Sequence, residues 1–114
     1  MKVARSRIRW VPAGDGGRKT DFAGASYSTP SLWEEHRGDD EWWSLVVDLN
    51  VDPGDPTIAD VRFLMSERAP EQLLHPGSKF AMFEGTQRTL EGEVIALASE
   101  RPDRPVFRDP ARSA

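Results

Sequence analysis

Trp42-Trp43-Ser44-Leu45-Val46-Val47-Asp48-Leu49-Asn50-Val51, followed by Asp52-Pro53-Gly54-Asp55-Pro56 and then by Ile58-Ala59-Asp60-Val61-Arg62-Phe63-Leu64-Met65, is the stretch on which the fold turns. In its first part Trp43, Leu45, Val47, Leu49 and Val51 recur at every second position, the period of a strand with one buried face. Its middle is a turn: proline presets one backbone angle and glycine permits the other. In its last part Ala59, Val61, Phe63 and Met65 form a second inward face, with Asp60, Arg62 and Leu64 outside.

Working outward, the same period recurs. Over residues 2–11, Ala4, Ser6, Ile8 and Trp10 alternate with Arg5, Arg7 and Arg9. The Gly/polar run 13–20 reads as a loop, and a short irregular strand is expected near 24–33. Residues 66–77 hold Pro70 and Pro76, with one helical turn around 71–74. Residues 79–84 and 88–97 make a hairpin about Glu84-Gly85-Thr86-Gln87. Six short strands with turns between them predict an all-β antiparallel barrel or sandwich. One domain over 1–98 accounts for them, and the Pro- and Arg-rich 99–114 reads as a flexible tail.

Composition narrows the function classes. With 114 residues, 38% hydrophobic and 30% charged, the chain has room for one modest globular core. No apolar run approaches the ~20 residues of a membrane-spanning helix. The absence of cysteine excludes disulfides, thiolate metal sites and cysteine nucleophiles, and a cytoplasmic location is expected. The net charge of −4 is unevenly spread: +4 over residues 1–33, −8 over 34–84 and zero over 85–114. A protein that coats nucleic acid is normally basic overall.

Candidate chemistry is sparse. Gly16-Gly17-Arg18-Lys19-Thr20 lacks the glycine before the lysine that a phosphate loop needs, and no helix follows it. His36 stands in an acidic stretch, 34–41, without calcium-loop spacing, and no nucleophile, base and acid fall into a recognisable order. No metal, cofactor or catalytic residue is expected. Trp42, adjacent to inward Trp43, should point outward, as an interface anchor or packed beneath the acidic loop or the tail. Arg5, Arg7 and Arg9 form a ridge, available to phosphate or an acidic protein, or paired with acids across strands.

Two blocks resemble a known family. Gly16-Gly17-Arg18-Lys19-Thr20-Asp21-Phe22, with Gly24, resembles the GGRxTPF loop after the first strand of the third domain of elongation factor Tu. Gly77-Ser78-Lys79-Phe80-Ala81-Met82-Phe83-Glu84-Gly85, with Gly92 and Val94, resembles that domain's closing hairpin. The blocks occur in family order and the likeness spans residues 3–98. It implies a closed six-stranded antiparallel Greek-key barrel. It also implies that Arg18, Lys19, Thr20 and Glu84 stand at positions which, in the family, touch tRNA.

The departures bear on function. After the loop, 24–30 lacks the family's arginine and glutamine, and the acidic 34–41 replaces the family's TTDVTG region. Gln87 stands at the hairpin's arginine position unless a one-residue gap brings in Arg88. No GTPase domain is present, so no GTP binding is expected. The resulting expectation is a non-catalytic binding module for a protein partner, such as one of the translation apparatus, using Arg18, Lys19, Thr20, Trp42 and Glu84. The alternatives are weak RNA binding through Arg5, Arg7, Arg9, Arg18 and Lys19, or a decoy or regulator that presents the factor's surface.

Overall fold

A computed structural model describes residues 1–18, 22, 24–36 and 42–98. The expected flexible tail, 99–114, lies outside the described residues. Six strands are present: β1 (Ala4–Trp10), β2 (Ser26–Trp33), β3 (Trp43–Asp48), β4 (Ile58–Phe63), β5 (Lys79–Glu84) and β6 (Gln87–Leu97). They close in the order β1-β4-β3-β2-β5-β6, with every neighbouring pair antiparallel. Because β2, β3 and β4 form a meander and β1 lies beside β4, the topology is a Greek key. Closure gives every strand a neighbour on both sides.

The deciding stretch folds as read, with both of its strands ending early. Leu45 and Val47 on β3 face Phe63 and Val61 on β4, and all four are fully buried. Met65 lies past the end of β4 and is 59% exposed, because the chain has by then turned away from the barrel. The segment expected to be short and irregular is instead the full eight-residue β2, alternating Tyr27, Thr29, Ser31 and Trp33 inward. Its inward set is half polar, which hid the period from a hydrophobic reading.

One end of the barrel is plugged by the β4–β5 connection. Leu73 and Leu74, in and after the 3₁₀ turn Glu71–Leu73, join the core there, and the Lys2 backbone N–H donates to Glu71 at 3.1 Å. At the other end, the register between β5 and β6 slips: Met82 pairs with Leu90 but Phe83 with Arg88. Thr89 is the extra residue of this bulge. Unbroken alternation from Leu90 would turn Arg88 into the barrel. The bulge turns it out and leaves Thr89 fully buried.

Candidate functional site

The loop between β1 and β2 is shaped by two glycines with different tasks. Gly16 adopts φ 91°, a left-handed conformation that side chains disfavour. Gly17 is needed for space: a Cβ there would lie 1.7 Å from the Val11 carbonyl oxygen. The Gly17 N–H donates to the Pro12 carbonyl at 2.9 Å, and the Gln87 side-chain amide donates to the Gly17 carbonyl. The loop is thus tied to the β5–β6 hairpin, and Arg18 is carried across the barrel mouth.

There Arg18 Nη1 donates to Glu84 Oε2 at 2.5 Å. Tyr27 Oη donates to the same oxygen at 2.5 Å and lies 2.7 Å from Thr89 Oγ1. A phenol has one proton, and here Tyr27 keeps it and points it at Glu84, so the Thr89 hydroxyl is the donor to Tyr27. Hydrogen bonding to Tyr27, with Arg18 second, holds the Glu84 carboxyl below its usual range. Burial, then the contact with Glu84, pushes the Tyr27 phenol up. The hydrogen bond to Glu84 raises Arg18 above its already high value. Beneath them Trp10, Phe22 and Tyr27 pack with ring centroids 4.9 to 5.8 Å apart, and the Arg18 guanidinium lies 5.6 Å from the Phe22 centroid.

Trp42 points outward and is 47% exposed. Its ring meets Phe83 edge-on at 5.2 Å, and the Arg88 guanidinium stands 5.5 Å from the Phe83 centroid. Phe83 and Glu84 are consecutive on β5 and so point to opposite faces, Phe83 outward to the Trp42 patch and Glu84 to the Arg18 corner at the mouth. Of the five expected contact residues, the structure brings Arg18 and Glu84 together and sets Trp42 apart from them, against Phe83 on the outer wall. Lys19 and Thr20 lie outside the described residues. Sequence reasoning missed Tyr27, Phe83, Gln87, Arg88 and Thr89. The single tyrosine was the signal the sequence offered; the bulge that places Thr89 and Arg88 appears only in the pairing of the hairpin.

The arginine ridge is engaged by acids. Arg5 makes a two-pronged contact with Asp60, at 2.9 and 3.3 Å. Asp60 is only 2% exposed although its strand position faces out. Arg7 lies 3.8 Å from Asp55, and Arg9 lies 2.7 Å from Glu91, a carboxylate that Arg88 also reaches at 2.8 Å. The Arg7 and Arg9 pairs are exposed, so water screens their attraction.

A second polar cluster joins Glu35, His75 and Ser78. Both the Ser78 hydroxyl (3.0 Å) and Glu35 Oε1 (2.7 Å) address His75 Nε2, while Nδ1 faces the Pro76 carbonyl at 3.0 Å. A nucleophile relay needs the acid and the hydroxyl on opposite ring nitrogens. This cluster instead clips the turn after β2 to the β4–β5 connection. No helix among the described residues is long and apolar enough to cross a membrane. No family model matches the chain, and no curated protein matches it with significant similarity.

Proposed function

We propose that this barrel is a non-catalytic protein-binding module of the translation apparatus, docking through the Trp42–Phe83 patch on its outer wall and the Arg18–Glu84 pair at its mouth. The observation that carries the reading is the half-exposed Trp42 indole, held edge-on against Phe83, whose ring also meets the Arg88 guanidinium. Aromatic and arginine side chains in fixed orientations make strong anchors, because little side-chain freedom is left to lose on binding. The resemblance to the third domain of elongation factor Tu rests on two blocks that meet at the Arg18–Glu84 pair, and the closed six-stranded barrel is compatible with it.

The test is capture from lysate by the immobilised chain, with bound proteins identified and their affinities then measured. A translation protein held by the wild type should bind at least about tenfold more weakly to Trp42→Ala. Equal binding by folded Trp42→Ala and Arg18→Ala variants would overturn this face. Salt-dependent binding of tRNA without any protein partner would replace the reading with RNA binding.

A further inference from the structure

On the outer wall, strand register sets Trp42 in a row that runs across β2, β5 and β6. Trp43 pairs with Ser31, so Trp42, one residue earlier, stands beside Leu32. Leu32 pairs with Ala81, and Ala81 with Glu91. The chain neighbours of these four residues face inward, so all four face out.

A groove of about 420 Å³ opens along this row, over β2, β5 and β6. Leu32 and Ala81 line it, with Glu34, Lys79, Arg88 and Glu91 around them. Two acids and two bases cancel, so the groove selects neither an acidic nor a basic ligand. It exceeds the roughly 300 Å³ of the smaller ligand pockets and so admits an indole. Arg88 belongs to both features: it lines the groove and stands 5.5 Å from Phe83, whose ring Trp42 meets. A 47%-exposed aromatic knob and a neutral, partly apolar hole therefore lie side by side. Two strand spacings, or ~10 Å, separate them.

We infer that the occupant of this groove is the Trp42 side chain of a second copy of the chain, in a reciprocal two-fold pair. Such a pair requires one face to carry both complementary features, since residue i of each copy meets residue j of the other. This face carries them. A rim of one sign would repel its own copy, whereas a cancelled rim does not. Within the groove the indole would lie over Leu32 and Ala81 and stack on the Arg88 guanidinium. Its N–H would donate to the Glu34 or Glu91 carboxylate. Two aromatic side chains bury about 150–250 Å² each, well short of the roughly 1,200 Å² of stable complexes, so the pair is reversible. This pairing does not rest on the proposed translation partner. Both use Trp42, so a second copy and that partner exclude each other.

Sedimentation equilibrium of the purified full chain, from about 10 µM to about 1 mM, tests the inference. A monomer–dimer equilibrium is expected, little changed by salt. Trp42→Ala should weaken it at least about tenfold. Ala81→Gln, whose added atoms project from the outer wall into the groove, should do the same. Neither side chain belongs to the core cluster. Either variant decides the matter once its far-ultraviolet circular dichroism matches the wild type. A chain still monomeric at about 1 mM would overturn the inference, as would a dimer unmoved by either folded variant. So would steep weakening by salt, which would mean that charged groups hold the pair. An open series of larger species would mean head-to-tail joining and would also overturn it. No translation protein is present, so failure here leaves capture from lysate to be decided on its own.

Discussion

Tyr27 is the chain's one tyrosine, so tyrosinate absorbance reports its ionisation alone. Burial disfavours the phenolate, and the Glu84 carboxylate that accepts the phenolic proton disfavours it further. The folded value therefore lies above the ordinary one of about 10. A group raised on folding contributes stability that is whole below its unfolded value and is lost as pH climbs through the folded one. Glu84 works in the opposite sense. Its carboxyl is held down by Tyr27 and Arg18, so its contribution is whole above the unfolded value and is lost as pH falls through the depressed one. The tyrosinate midpoint of the folded chain should lie above that of the urea-unfolded chain. Glu84→Gln should bring it down partway, because burial is the larger cause and remains. Coincident folded and unfolded midpoints would mean that Tyr27 is neither buried nor bonded as described.

Between elements, the Phe80–Gly92 pair shows why one strand position must stay bare. The two residues face each other across β5 and β6, and a Cβ on Gly92 would lie 2.3 Å from the Phe80 ring. The ring cannot easily retreat, since it is 4% exposed and packs 4.8 Å from Trp33. Replacing a strand glycine by alanine ordinarily gains about 0.5–1 kcal/mol. Here overpacking of about 1–3 kcal/mol should win, and urea denaturation of Gly92→Ala should show the loss. Gly14→Ala, with nothing within 4 Å of its added Cβ, is the comparison; a Gly92→Ala chain as stable as Gly14→Ala would refute the packing. Elements of this kind were legible unequally. The strands β3, β4 and β5 announced themselves because their inward residues are apolar. The full length of β2 was hidden by Thr29 and Ser31, whose inward placement follows from pairing with β3 and β5. The bulge at Thr89 was hidden as well, since one extra residue leaves composition unchanged but reverses the facing of Arg88. The site inherited that limit: Arg18, Glu84 and Trp42 could be named from the chain, but Tyr27 and Thr89 join them only once the register is known.

Across the whole molecule, the uneven charge along the chain becomes strand pairing. The basic first strand lies beside β4 from the acid-rich middle, so Arg5 meets Asp60 and Arg7 meets Asp55. Closure by β1 and β6 joins residues as distant as Ala4 and Leu97, and the Ala98 N–H adds a bond to the Val3 carbonyl at 2.9 Å. Every strand runs from the Arg18 mouth to the plugged end, which makes separate melting of the two ends costly: opening either one breaks pairs in all six strands. Tryptophans mark both ends, Trp10 against Tyr27 at the mouth and Trp33 against Phe63 and Phe80 deeper in the barrel. In a variant keeping only Trp10, and in another keeping only Trp33, urea unfolding followed by fluorescence should coincide with that followed by far-ultraviolet circular dichroism. A Trp10 signal that melts before the strand signal would mean that the mouth, with its Arg18–Glu84–Tyr27 corner, opens alone. The proposed contact face would then be ordered on binding rather than by the barrel.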